Sequence, residues 1–323
     1  MAKNSLIDRL DQAIEAMLAQ PGAMPAAADP TLKPFLGIAA MLRDLPRQEF
    51  QKQLKADLER SISMATTTEN PIREDLQTLT LYVRVEQVLE LAEFVTRAFD
   101  AHETFRGIGS AGGYHIEVRI GDSMMMLGGG LKWKGTPTPT AVHLYVSDAD
   151  AVYQRALLAG ATSLHPPVEQ DYGDREASVK DPFGNFWYIA THKGENYLPP
   201  GFKAVTPFLH PKGAPQFIEF MKSAFGAEEV SRYESAGTVH HATVRIGGSL
   251  IEMGEAHGAH KPIPTMFYLR VDDADASYKR AIAAGARSLS EPADQAHGAR
   301  MGSIRDPFGN EWHIATPVGN QSA

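Results

Sequence analysis

Several side chains stand at spacings that suit proton transfer or ligand binding on strands. His115 and Glu117 are two residues apart, so on a strand they share a face. His143 has the parity of Ala141 and Tyr145 and would look the same way along its own strand. A cluster of His115, Glu117 and His143 would offer a small ligand two imidazoles and a carboxylate, and imidazole titrates near neutrality. His240 and His241 are adjacent and therefore face opposite sides of a strand. Arg175 and Arg300 each lie six residues before an Asp-Pro-Phe-Gly-Asn run. A guanidinium there can clamp a ligand carboxylate or phosphate, or fix its own loop through a salt bridge. Asp181 and Asp306, which open those runs, are expected to organise turns rather than to catalyse. Gly128-Gly129-Gly130 lacks the lysine and following helix of a phosphate-binding loop.

The elements that would position these groups come twice. VSDADAVYQRALLAGA at 146–161 and VDDADASYKRAIAAGA at 271–286 agree at eleven of sixteen positions, at an offset of 125. The same offset lays DPFGNFWYIAT on DPFGNEWHIAT; further upstream it becomes 126, which pairs His115 with His241. Blocks kept in order at near-constant spacing mean an internal duplication. The expected division is a first domain at 72–197 and a second at 198–323. Ahead of them come a linker at 65–71 and a helical extension at 1–64, where Leu6, Leu10, Ile14 and Met17 recur at helical spacing.

Within the first copy, strands are expected at 76–83, 114–120, 123–127, 140–146, near 162–164, 176–179 and 186–191, with helices at 87–98 and 149–159. Asp148 and Asp273 are suited to cap the helices that follow them. On the last strand of each copy, period two puts Trp187 and Ile189, or Trp312 and Ile314, on a core face. Tyr188, or Glu311 and His313, then take the other face. A curved sheet turning that face to a cleft would add Met124, Met126, Tyr145 and Trp133 to an aromatic, methionine-rich pocket.

Composition narrows the class. The 323 residues are 43% hydrophobic and carry a net charge of -8, which argues against a dedicated nucleic-acid surface. Without cysteine there is no disulfide, thiolate site or cysteine nucleophile. Asp8, Arg9 and Asp11 interrupt any secretory core, and no apolar run reaches transmembrane length. A cytoplasmic protein that does not engage membranes is expected.

The runs Val205-Thr206-Pro207-Phe208-Leu209, Phe225-Gly226-Ala227-Glu228-Glu229, Arg245-Ile246-Gly247-Gly248-Ser249 and Asp306-Pro307-Phe308-Gly309-Asn310 resemble the vicinal oxygen chelate, or glyoxalase/bleomycin resistance/dioxygenase, superfamily, and its PhnB-like branch. The resemblance covers nearly all of 72–323. It implies an α+β fold of two tandem domains built from paired βαβββ modules around cavities, with internal pseudo-dimer symmetry and an optional homo-oligomer. In metal-dependent relatives the first and fourth strands of each module supply ligands. Carried over one cavity per repeat, those positions are Thr78, Met126, Ala141 and Tyr188, then Ala204, Glu252, Met266 and His313. A thioether and an alanine are poor company for a hard cation. The resemblance thus implies an incomplete metal site in the first copy, and in the second a Glu252–His313 acid–base pair or, as the alternative, a divalent metal on those two residues. The expected function is binding of a small organic molecule through Met126, His143, Tyr145, Tyr188, Arg175, Arg300, His115 and Glu117. The alternatives are a metal-dependent lyase, isomerase or dioxygenase, and an interaction role for the N-terminal helices.

Overall fold

The structure, a computed structural model, describes residues 76–317 apart from 195 and 259. The expected helical extension at 1–64 and the linker at 65–71 lie outside the described residues. Four modules follow one another, each a strand, a helix and three strands. The first is β1 (Leu79–Val85), α1 (Val88–Phe99), β2 (His102–Ile108), β3 (Tyr114–Ile120) and β4 (Ser123–Gly129). The second is β5 (Ala141–Tyr145), α2 (Ala149–Leu158), β6 (Thr162–Glu169), β7 (Asp174–Lys180) and β8 (Phe186–His192). The third is β9 (Val205–Leu209), α3 (Ala214–Phe225), β10 (Glu228–Ser235), β11 (Thr238–Ile246) and β12 (Ser249–Met253). The fourth is β13 (Met266–Arg270), α4 (Ala274–Ala283), β14 (Arg287–Gln295), β15 (Ala299–Arg305) and β16 (Glu311–Pro317).

The modules pair across the repeats, not within them. One eight-stranded sheet runs β14-β15-β16-β13-β1-β4-β3-β2, joining the fourth module to the first. The other runs β10-β11-β12-β9-β5-β8-β7-β6, joining the third to the second. The seams are antiparallel, Thr80 opposite Tyr268 in one sheet and His143 opposite Thr206 in the other. Side chains from neighbouring turns lock them: Ser249 Oγ accepts from Leu79 N at 3.0 Å, and Ser123 Oγ from Val205 N at 2.9 Å. One cavity per repeat, the expectation above, is therefore replaced by one open face per cross-repeat sheet.

Helices do stay with their own repeat. α1 buries Leu91, Phe94, Val95, Ala98 and Phe99, an i, i+3, i+4 stripe. Phe99 meets Trp187 at 4.4 Å between ring centroids, and Phe225 meets Trp312 at 4.6 Å. Both tryptophans are fully buried on the helix side, and burying one such ring is worth about 3 kcal/mol. Asp148 and Asp273 cap α2 and α4, accepting from Ala151 N and Ala276 N at 2.9 Å. The strand β2 escapes a reading by periodicity because it is an outer edge with little burial. On β6 and β14, also edges, Pro166, Pro167 and Pro292 discourage pairing with further chains.

The repeated turn is built by its aspartate. Asp181 Oδ1 accepts from the amides of Phe183 and Asn185, both at 2.9 Å. Its Oδ2 accepts from Asn185 Nδ2 at 2.7 Å and Trp187 Nε1 at 3.0 Å. Asp306 makes the same four bonds with Phe308, Asn310 and Trp312. These carboxylates are structural anchors for the core tryptophans, as their place in the sequence suggests.

Candidate functional site

The face of each sheet turned away from the helices collects the polar groups. On the second sheet, β5 brings His143 against Glu252 of β12, with Nδ1 2.8 Å from Oε2. The other oxygen, Oε1, lies 3.1 Å from His241 Nε2 on β11. An ionised carboxylate can only accept, so both imidazoles donate to it. Burial alone would raise the Glu252 carboxyl, but the charge and hydrogen bond of His143, helped by His241, hold it down at about 2. Burial alone would lower His143; the Glu252 carboxylate outweighs it and raises the imidazole above its ordinary value. The far nitrogen, His143 Nε2, is buried without a hydrogen-bond partner and lies 3.7 Å from Glu176 Oε2 on β7. Burial pushes the Glu176 carboxyl up, against the pull of His143.

Aromatic rings surround this chain. Tyr145 stacks on His143 at 4.3 Å and 26°, and Tyr188 meets Phe208 at 5.1 Å. The Tyr188 hydroxyl lies 3.0 Å from His210 Nε2 and 3.4 Å from His260 Nδ1. Burial pushes that phenol up to about 12, so it remains a proton donor. Burial, with His260 and His257 nearby, pushes His210 down to about 4 and keeps it neutral.

The other predicted residues are distributed differently from expectation. His115, Glu117 and Met126 lie on β3 and β4 of the first sheet, so they do not join His143, which is on the second. Glu252 and His313 do not form a pair for the same reason: β12 and β16 belong to different sheets. Glu252 instead has His143 as its partner, and His313 Nδ1 lies 3.2 Å from Ser303 Oγ. Arg175 pairs with Asp150 and Arg300 with Asp275, each fixing a strand to the start of a helix, which is the salt-bridge alternative. Thr78 and Ala204 precede their strands and serve the seams, Thr78 Oγ1 accepting from Gly248 N at 3.3 Å and Ala204 O from Tyr145 N at 2.9 Å. A groove of about 540 Å³ beside α3, lined by Pro215, Phe220 and Phe308 among others, lies on the helix side, away from both polar faces.

Sequence reasoning missed Tyr82, Glu176, His210 and the role of His241. For His241 a signal existed, since it is the repeat partner of His115. The others needed the sheet order, because their partners come from distant strands.

A divalent metal does not fit either face. The Glu252 oxygens are already engaged by two imidazole donors at hydrogen-bond distance. Beside His313, the corresponding strands offer Met126, Tyr82 and Tyr268, a thioether and two phenols. Among the described residues no group of three or more His, Cys, Asp or Glu is placed to hold a metal ion.

The glyoxalase/bleomycin resistance protein/dioxygenase superfamily model matches residues 211–314. An uncharacterized protein of Mycobacterium bovis, Mb0911c, is 38% identical over 122 residues, which are 34% of this chain and 80% of that protein. A putative glyoxylase of the same organism, CFP32, is 25% identical over 194 residues, 58% of this chain and 73% of its own. Glyoxalase I from Zea mays superposes with a TM-score of 0.57 at 13% identity, covering 74% of this chain and 92% of that one. A putative dioxygenase from Bacillus subtilis gives 0.51 at 14% identity, over 74% and 84%. These two structural likenesses concern the fold.

Proposed function

Since the chain belongs to the glyoxalase/bleomycin resistance protein/dioxygenase superfamily, we propose that it binds a small organic molecule on the open face of its second sheet. The observation that carries this reading is His143. Its ring is buried and oriented by Glu252, yet Nε2 has no hydrogen-bond partner, Glu176 Oε2 standing 3.7 Å away. An orphaned buried nitrogen is costly in a resting protein and useful when a ligand completes it. The unbonded Nε2 faces Glu176 Oε2 at 3.7 Å, and a carbonyl or hydroxyl oxygen is the ligand atom that matches such a nitrogen. Tyr145, Tyr188 and Phe208 supply stacking surface, which points to a planar or aromatic body.

In this reading the ligand is held by these side chains without a metal ion. We further propose the PhnB-like branch, domain limits at 72–197 and 198–323, a cytoplasmic setting and an optional homo-oligomer; the repeat motifs support the two-copy division. Among the described residues no helix is long and apolar enough to cross a membrane.

Ligand-observed NMR with a panel of aromatic ketones and phenols, on the full chain, tests the reading. At least one compound should bind the wild-type protein, and His143→Ala should weaken it about tenfold or more while thermal unfolding stays cooperative. Binding indifferent to His143→Ala would refute the assignment.

A further inference from the structure

Two turns meet at one end of the first sheet. Ile108, the last residue of β2, stands opposite Tyr114 across the β2–β3 hairpin and is 65% exposed. Tyr114 pairs in turn with Gly129 at the end of β4, where the second turn begins. There Trp133 N donates to Gly130 O at 3.0 Å, with Leu131 and Lys132 as the central residues. Leu131 has φ 50°, in the left-handed region that such turns normally give to glycine or asparagine. It is also 58% exposed. A leucine there bears a steric cost that glycine escapes and gains little burial in return. Carrying both costs points to a contact made outside the fold.

The residues beside Leu131 are seated and charged. A Cβ on Gly113 would come within 2.8 Å of Trp133 Cβ, and one on Gly135 within 2.5 Å of the indole ring. These two glycines let the hairpin and the loop's own backbone close on Trp133, which stays half-buried. Trp187 and Trp312, by contrast, are fully buried. Lys132 and Lys134 flank the indole and are exposed, and neither makes an ion pair among the described residues. No Asp or Glu occurs in 107–116 or 123–147, so this end is basic in a chain whose net charge is -8.

We propose that this end of the first sheet docks on an anionic lipid bilayer. Leu131 and Ile108 enter the boundary of the acyl region, the Trp133 indole lies at headgroup level, and Lys132 and Lys134 meet the anionic headgroups. The composition favours lipid over a protein partner. Lysine is depleted from protein interfaces, whereas lysine beside tryptophan and bulky aliphatic side chains suits a bilayer surface. With so few anchors the contact is weak and reversible, and the acidic remainder of the chain confines it to this end. The patch belongs to the first sheet and is independent of the ligand face assigned to the second.

The test is co-sedimentation of the full chain with vesicles at low salt, read together with tryptophan emission. Vesicles of phosphatidylcholine alone are compared with vesicles that also contain phosphatidylserine. The chain should bind the anionic vesicles about tenfold better or more, with a blue shift in emission that Trp133→Phe removes. Lys132→Glu combined with Lys134→Glu should weaken that binding about tenfold or more. Leu131→Gly should weaken it several-fold while the thermal midpoint holds or rises, because glycine meets that φ without strain. No binding by the wild-type chain, or equal binding to both vesicles, overturns the proposal. So does binding that survives the lysine changes, or a Leu131→Gly variant that loses stability and binds as before. A chain that ignores vesicles but forms a dimer lost in Leu131→Gly also overturns it, and assigns the patch to a second copy.

Discussion

At the residue scale, titration separates the histidines. His143 has gained a carboxylate partner, whereas burial without one pushes His210 and His313 down to about 4 from an ordinary 6.5. A histidine lowered in the fold stays neutral there while the unfolded chain takes up a proton. Its effect is therefore absent above about pH 6.5 and becomes a loss of stability as pH falls from 6.5 toward 4. Glu252 acts lower: its contribution is present above the ordinary carboxylate range and fades as pH falls toward about 2. His143 has the opposite limit, stabilising below 6.5 and losing its contribution as pH rises through its raised value. Denaturant unfolding should show stability falling as pH drops from about 6.5 to 4, and His313→Asn should reduce that fall by on the order of 2–3 kcal/mol. An unchanged slope would contradict a neutral, buried His313.

At the element scale, the turn before each final strand explains why the core forms where it does. Asp306 alone satisfies two amides, an asparagine side chain and the Trp312 indole. Asp306→Ala strands these buried donors and should cost roughly 3 kcal/mol, read as a lower urea midpoint with an unchanged slope. A loss below about 1 kcal/mol would mean that the turn holds itself. Such local devices were legible in the sequence: the Asp caps, the Asp-Pro-Phe-Gly-Asn turn and the Trp face all depend on near neighbours and on period two. The β2 edge was not, because a half-exposed strand has no apolar rhythm to betray it. Tyr82 was invisible for a further reason. Its meaning depends on His115, 33 residues away on another strand, and on the space left by Gly128.

At the scale of the whole molecule, the repeats were legible and their pairing was not. Homologous copies announce themselves by sequence, but either copy's modules have the same kind of free edge on the first strand. The choice of neighbour is made by β1 with β13 and β5 with β9, and by the serines that lock those seams. That choice separates Glu252 from His313 and gives it to His143, 109 residues upstream in the other repeat. It also makes the two open faces chemically different, one holding a His–Glu–His chain and the other a chain of Tyr82, His115 and Glu117.

A double-mutant cycle on unfolding free energy between His143→Ala and Glu252→Ala bears on this most directly. Each single change should cost several kcal/mol, roughly 3–5 for the buried carboxylate, and the pair should fall short of the sum by about 2 kcal/mol. The matching cycle between Glu252→Ala and His313→Ala should be additive within about 0.5 kcal/mol. Additivity in the first cycle, or a coupling of that size in the second, would contradict modules joined across the repeats.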